Sequence, residues 1–367
     1  SSSMGLRTQV LVIGGGPAGS SAAGFLAQQG IDTILLERDF SFVKPCGGGM
    51  PSTAIVERGI PDNLVRKHVR EVKLVSPRGD SFTIPLRGKS VAIVQRGDFD
   101  RALREEAEKS GARLLLGEFR SFANVGRTVT AEITMAGEHT RIEADSVIAA
   151  DGANSRVRAA LNIKPSPSFL TLSEKIREVD TNVCEFWFGS SHAPQCYSWI
   201  FPQQEGVTAG TGVFQQTGIR NYWQAFLKRR RLHATGSVKG YRVPLWQGDL
   251  YQSGRVLFAG DAAGQVMPIT YEGIYYAMKS GEMAAMAIAS GKMHDYKKLW
   301  EKSFRREFVF MKQLWKYFMK NDARIEKMLQ LHQKPDLQEA SMRFWFERGS
   351  RGRSFLSYLK ILRKLLG

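Results

Sequence analysis

The chain has 367 residues, 43% of them hydrophobic and 10% aromatic, enough for a large core in two or three structural units. Its three scattered cysteines, Cys46, Cys184 and Cys196, exclude a disulfide framework or a cysteine-built zinc site, and a reducing, cytoplasmic setting is expected. The net charge of +17 is uneven: residues 292–367 carry 19 Lys+Arg against 8 Asp+Glu, which suits a polyanionic surface of nucleic acid or acidic lipid, or else a solvated helical face. No apolar run reaches the roughly 18 residues of a membrane span, and no secretory signal precedes the first strand, so a soluble or peripheral protein is expected.

Ser1–Ser3 ahead of Met4 read as an exogenous leader and are set aside. Thr8–Arg38 then reads TQVLVIGGGPAGSSAAGFLAQQGIDTILLER. Val10–Ile13 is a short apolar run typical of a buried parallel strand. Gly14, Gly16 and Gly19 follow as G-x-G-x-x-G, and small residues continue in a helix reaching about Gln29. Gly30 stops that helix, and Thr33–Leu36 makes a second strand that Glu37 ends. Gly14 permits a tight turn, Gly16 admits a pyrophosphate to the backbone, and Gly19 lets helix and strand close on each other. The helix N-terminus offers N–H groups to phosphates, and Glu37 can accept from both hydroxyls of an adenosine ribose. An acid there disfavours a 2′-phosphate, which leaves FAD or NAD.

Residues 44–51, KPCGGGMP, place Cys46 beside three consecutive glycines. Such a run costs backbone entropy and marks either a flexible turn or a loop that something must approach closely. RGDFDRAL (96–103) starts a helix at Arg96, and VIAADGANSRVR (147–158) is a strand followed by Asp151 and Gly152. In CEFWFG (184–189), Phe186 and Phe188 share one strand face and Trp187 the other. In PQCYSWIFP (194–202), Tyr197, Trp199 and Phe201 share one face, opposite Cys196, Ser198 and Ile200. GVTAGTGVF (206–214) reads as the adjoining strand, its glycines leaving room for a long substrate. GRVLFAGDAAG (254–264) is another strand ending in Gly260–Asp261, with a helix from about Glu272. Helices fill 292–330, where Trp300, Phe304, Phe308, Met311, Trp315 and Phe318 recur at helical spacing, as internal packing or, secondarily, a lipid contact.

The last segment, SFLSYLKILRKLL (354–366), is an amphipathic helix. Phe355, Tyr358, Leu359, Ile361, Leu362, Leu365 and Leu366 fall on one side, and Lys360, Arg363 and Lys364 on the other, after Arg348, Arg351 and Arg353. It is expected to lie in an anionic membrane interface, the alternative being that its apolar face docks on the protein's own core. His68, His139, His192 and His233 read as surface or loop residues, and no metal site or Ser/His/Asp arrangement is expected.

Together, the Asp-Gly and Gly-Asp motifs and RGDFDRAL resemble the flavoproteins that include aromatic hydroxylases and geranylgeranyl reductases. KPCGGGMP, the P-x-x-Y-x-W-x-F-P strand and GDAAGQVMPITYEGIYYAMKSG (260–281) resemble the geranylgeranyl reductases within that group, the chlorophyll-type members most closely. The resemblance spans roughly residues 8–290. It departs at Tyr271, where the family's Gly-Glu-Gly is Tyr-Glu-Gly. It implies an α/β fold: a discontinuous Rossmann-type FAD domain (5–70, 88–160 and 254–291), an antiparallel β-sheet substrate domain (71–87 and 165–250) and a basic helical C-terminal region (292–367).

The resemblance further implies non-covalent FAD held by Gly14, Gly16, Gly19, Glu37, Cys46, Gly47, Gly49, Arg96, Asp261, Gly273 and Ile274. Asp261 would face the ribityl chain, Gly273 and Ile274 the isoalloxazine carbonyl end, and the KPCGGG loop would cross the flavin. Tyr197, Trp199, Phe201 and Tyr271 would line the substrate, and Cys46 would be catalytic through its thiol, the alternative being that only its backbone matters. The implied reaction saturates C=C bonds of a polyprenyl chain by hydride transfer and protonation. Protonating an isolated alkene makes a tertiary cation, which an aromatic-lined cavity tolerates. One dinucleotide fingerprint means that the electron donor, NADPH or reduced ferredoxin, visits transiently. A polyprenyl substrate and a membrane surface are the expected partners, without nucleic acid. The alternatives are a flavin monooxygenase of an aromatic or quinone and a membrane-docked electron relay.

Overall fold

The computed structural model describes residues 5–214, 217–348 and 352–367. Ser1–Ser3 and Arg351 lie outside the described residues. The chain forms two compact units, residues 1–43, 97–168 and 243–308 in the first and 44–96, 169–242 and 309–367 in the second. These boundaries depart from the expected ones: 44–70 and 88–96 belong to the second unit, not to the nucleotide-binding one. Strand pairing is the reason. Gly49–Pro51 and Val65–Val69 both pair with Val91–Val94 in a small antiparallel sheet, which carries the glycine loop with it.

In the first unit, Leu6–Ile13 lies between Glu138–Ala149 and Thr33–Glu37, all parallel. Val256–Phe258 and Arg113–Leu116 extend the parallel sheet on either side. Gln252–Ser253, Val129–Met135 and Glu118–Val125 add antiparallel pairs. The central strands are unbroken apolar runs because both faces are covered, and Val10–Val12, Ile34–Leu36 and Val147–Ala149 are all buried. Ile13 aligns with Leu36 and with Ala149, and Ala149 aligns with Phe258. The strands therefore end flush, and Gly14–Gly19, Glu37, Asp151 and Gly260–Asp261 all emerge at one carboxyl edge, where open α/β sheets bind ligands.

Helix Pro17–Gln28 follows the first strand, and helix Ile274–Ala289 packs against it through small residues. A Cβ on Gly281 would lie 2.1 Å from the Ala18 carbonyl oxygen. That second helix starts at Ile274 with Gly273 at its N-cap, two residues later than expected from sequence. The aromatic stripe beyond it is internal packing: Trp300, Phe304 and Phe308 are buried, Trp300 against Trp246 and Tyr251.

The second unit is built on a seven-stranded sheet in the order Lys239–Pro244, Ser168–Ile176, Val207–Val213, Ala193–Pro202, Cys184–Gly189, Glu71–Val75, Ser81–Pro85. Cys184–Gly189 pairs in parallel with Glu71–Val75, a departure from a wholly antiparallel sheet. Helix Ile219–Arg230 covers one face with Trp223, Phe226 and Leu227 against Leu172, Ile200 and Val207.

Helices Asp322–His332, Pro335–Phe346 and Arg353–Leu366 complete this unit. The last of them corrects an expectation. Of the expected apolar face, Phe355, Tyr358 and Leu362 are buried against the unit's own helices, while Leu359, Ile361 and Leu365 are half-buried and Leu366 is exposed. Phe344 stacks on Tyr358, Phe310 meets Phe355 edge-on, and His332 Nε2 is 2.8 Å from the Tyr358 hydroxyl. The burial of three large side chains on one helix, at roughly 1.5–3 kcal/mol each, outweighs what the helix gains by remaining undocked. Its basic face, with Lys360, Arg363 and Lys364, stays exposed. Among the described residues no helix is long and apolar enough to cross a membrane.

Candidate functional site: a dinucleotide cradle and an aromatic sheet face

The three motif glycines of the first unit do different work. Gly14 has φ +108°, and a Cβ there would lie 2.1 Å from the Ala150 carbonyl oxygen. A Cβ on Gly19 would lie 1.7 Å from the Gly14 carbonyl oxygen, so this glycine sets how closely helix and strand approach. Gly16 is the opposite case: nothing lies within 4 Å of the position its Cβ would take. The protein itself does not need a glycine at 16. The open space sits at the N-terminus of helix Pro17–Gln28, whose first N–H groups and dipole favour a phosphate.

Glu37 stands at the end of its strand as expected, but its carboxylate also works inside the protein. Oε1 accepts from the Gly15 N–H at 3.0 Å and Oε2 from the Asp39 N–H at 2.8 Å. Each oxygen keeps a second lone pair for a ribose hydroxyl. Arg104, which sequence reading missed, donates to the carbonyls of Gly15 and Phe40, both at 3.1 Å, and so ties the glycine turn to the next loop. It lies two helical turns beyond Arg96, in a helix whose motif ended before it, so no local pattern marked it.

The Asp-Gly motif braces the start of a helix that Ser155 caps. Asp151 accepts from the Ser155 hydroxyl at 2.6 Å and the Val157 N–H at 3.2 Å, and Ser155 caps the short helix Arg156–Ala160. Burial raises the Asp151 pKa against the opposing pull of these donors. Arg158 bonds the Ser166 hydroxyl and the Ala262 carbonyl, joining this motif to the Gly-Asp turn. In that turn Gly260 has φ +63°, and a Cβ on Gly273 would lie 3.6 Å from Asp261 Oδ1, so Asp261 and the start of the second helix are neighbours. Tyr271, in the same segment, has φ +53°, a conformation that favours the glycine of the family pattern.

In the second unit the KPCGGG loop receives a physical reason that sequence could not supply. A Cβ on Gly47 would lie 1.9 Å from the Phe201 ring, and one on Gly49 would lie 3.2 Å from it. Gly48 has φ +72°, and its Cβ would meet the Val94 carbonyl at 2.1 Å. Phe201 and the neighbouring strand thus require the run, independently of any cofactor. Gln203 Nε2 donates to the Gly47 carbonyl at 3.1 Å, and Lys44 Nζ stands 4.2 Å from the Tyr241 ring centroid. Cys46 Sγ accepts from the Gly48 N–H at 3.2 Å and from Arg96 Nη1 at 3.5 Å. Cys184 and Cys196 are buried, which raises the Cys184 pKa and pushes that of Cys196 up to about 12.

The sheet face beside this loop is aromatic. Phe186 meets Tyr197 and Phe201 edge-on at 5.2 and 5.6 Å, Tyr197 meets Trp199 at 6.2 Å, and Phe188 completes the group. The expected alternation holds from Tyr197 to Phe201, with Ser198 and Ile200 buried on the other side. Cys196 departs from it: a Cβ on Gly212 would lie 2.7 Å from its Sγ, and Gly212 shares a face with Gly210 and Trp199. The glycines of 206–214 are also reassigned. A Cβ on Gly210 would lie 2.2 Å from the Trp199 indole, so the space expected for substrate is taken by that ring.

His192 lies in the turn between strands Cys184–Gly189 and Ala193–Pro202, a loop residue as expected, but it is fully buried rather than at the surface. Arg229 Nη1 donates to its Nε2 at 2.9 Å, so Nδ1 carries the proton and donates to Ser198 Oγ at 2.7 Å. Burial, with Arg229 beside it, lowers its pKa to about 4. His68, His139 and His233 are exposed.

Residues 7–243 match the family described as FAD binding domain. The chain is 33% identical over 360 residues to the chloroplastic geranylgeranyl diphosphate reductase of Arabidopsis thaliana, covering 89% of this chain and 77% of that protein. It is 32% identical over 324 residues to the digeranylgeranylglycerophospholipid reductase of Methanocaldococcus jannaschii, covering 82% of this chain and 81% of the relative. A geranylgeranyl bacteriochlorophyll reductase-like protein of Thermoplasma acidophilum shares the fold, with a TM-score of 0.85 over 98% of this chain and 99% of that one at 24% identity. With an FAD cradle that Gly16 leaves open and identities of this extent, the chain belongs to the geranylgeranyl reductase family of FAD-dependent oxidoreductases.

Proposed function

We propose that this protein reduces C=C bonds of a geranylgeranyl-type polyprenyl chain. The observation that carries the reading, beside the family, is the aromatic face of Phe186, Phe188, Tyr197, Trp199 and Phe201 next to a loop that holds a thiol. Bound FAD, once reduced, supplies the hydride that an unactivated alkene requires. The chain's own residues do the rest. Gly14–Gly19 and the helix N-terminus hold the pyrophosphate, Glu37 the ribose, and Asp261, Gly273 and Ile274 the flavin side. Tyr197, Trp199 and Phe201 bind the prenyl chain by its apolar surface and present π-faces to developing positive charge. Tyr271 narrows the entrance that a glycine would leave wider.

Cys46 is the residue assigned to proton handling, with Gly47, Gly49 and Arg96 completing the flavin-facing loop. Two donors point at its sulfur, so the thiol hydrogen is directed away from both. The reductant, NADPH or a reduced ferredoxin, is an external and transient partner. Association with an anionic membrane rests on the exposed charges of Lys360, Arg363 and Lys364 and not on the buried apolar face of their helix. Anaerobic photoreduction with a geranylgeranyl compound, read by mass spectrometry, tests the activity. A gain of about 2 Da per saturated bond supports it. An unchanged substrate beside reduced protein, or insertion of oxygen once dioxygen is admitted to the reduced protein, refutes it.

A further inference from the structure

Directly behind the Gly260–Asp261 turn lies a buried polar network that no motif marked. The Gly260 N–H donates to Ser280 Oγ at 2.9 Å and to Gln265 Oε1 at 3.2 Å, and the Gly260 carbonyl accepts from the Gln265 N–H at 3.1 Å. Gln265 Nε2 donates to the Tyr296 hydroxyl at 3.1 Å, and that hydroxyl donates to the Phe258 carbonyl at 2.6 Å. Gln265, Ser280 and Tyr296 are each no more than 1% exposed. Four segments contribute: the strand Val256–Phe258, the turn, the helix Ile274–Ala289 and the helix Asp295–Trp300. The Phe258 N–H bonds the Tyr251 carbonyl and the Ala259 N–H the Ala149 carbonyl, so the chain entering the turn is held residue by residue.

We propose that Tyr296, acting through Gln265 and the Phe258 carbonyl, is a positioning residue that fixes the Gly260–Asp261 turn and thereby the carboxylate that meets FAD. The proposal rests on the FAD reading and adds a residue that lies beyond the segment matching the FAD family. Gly260 requires such a clamp because its left-handed φ of +63° gives glycine many alternatives of similar energy. A low-dielectric, fully satisfied network selects one of them. Burial raises the Tyr296 pKa, so the hydroxyl remains a donor at neutral pH.

The test compares Tyr296→Phe with Thr8→Val. The first keeps a ring that packs edge-on with Tyr251 and deletes only the hydroxyl. The second deletes a buried hydroxyl that bonds the Asp32 carbonyl, at the opposite end of the parallel strands. Three quantities are read: hydrogen exchange over residues 258–261 in the apoprotein, the FAD dissociation constant and the visible circular dichroism of bound flavin. Tyr296→Phe is expected to speed that exchange, weaken FAD about tenfold and change the dichroism, the first two being the consequence of one lost hydrogen bond. Thr8→Val lowers the melting point alone. A lower melting point for Tyr296→Phe with unchanged FAD affinity and dichroism overturns the proposal and leaves a structural hydroxyl. Faster exchange in protein that takes up no FAD, wild type included, overturns the cofactor reading and the positioning role with it, while the clamp itself stands.

Discussion

Gly16→Ala should cost the protein its cofactor and not its fold, whereas Gly19→Ala should do the reverse. At 16 the backbone is extended, with φ −79° and ψ −169°, and the added methyl meets nothing within 4 Å. Alanine is a poorer N-cap than glycine, but it also restricts the unfolded chain, so apoprotein stability should change by no more than about 0.5 kcal/mol. The methyl then occupies the space a pyrophosphate would enter, and a loss of at least tenfold in FAD affinity, about 1.4 kcal/mol, is expected. At 19 the methyl would lie 1.7 Å from the Gly14 carbonyl oxygen, which is backbone and cannot turn aside. Helix and strand must part, at about 1–3 kcal/mol for overpacking, or roughly 2–4 °C in melting temperature per kcal/mol. Thermal melts of both apoproteins beside flavin-fluorescence titrations separate the two effects. Equal losses of melting temperature, or a Gly16→Ala protein that binds FAD as tightly as wild type, would refute the division of labour among these glycines.

Cys46→Ala should keep FAD and slow alkene reduction, with Cys46→Ser intermediate; wild-type turnover in both variants would leave only the loop backbone with a role. Stability should fall as pH drops from about 6.5 toward 4, because the unfolded state protonates His192 before the folded state does. The loss is on the order of 3 kcal/mol, and His192→Gln should flatten melting temperature against pH in that window; an unchanged slope counts against it. Replacing Lys360, Arg363 and Lys364 by Glu should abolish salt-sensitive sedimentation with anionic vesicles at unchanged melting temperature, whereas truncation after Gly352 should lower the melting temperature by exposing Phe310 and Phe344. Tyr271→Gly should stabilise the protein by about 1 kcal/mol through relief of its left-handed backbone, read as a raised melting point.

The sequence by itself determined four of the parallel strands of the first unit but not Arg113–Leu116, together with the glycine cradle, the acidic strand end and the aromatic alternation of 197–201. Each of these is local: a buried strand needs an apolar run, a tight turn needs glycine, and period two follows from the pleat. The tertiary structure decided whatever depends on a partner distant in the chain. An amphipathic helix pattern is the same whether its face meets lipid or protein, and only packing against Phe310, Phe344 and His332 assigned the helix Arg353–Leu366 to the protein's own core. Three glycines announce close approach without saying by what, and the answers, Phe201 and the Val94 carbonyl, lie about 150 and about 45 residues on in the chain. His192, Arg104 and Tyr296 carry no local signature, because a buried polar side chain is recognisable only by the donors and acceptors that surround it, and those come from other elements of the fold.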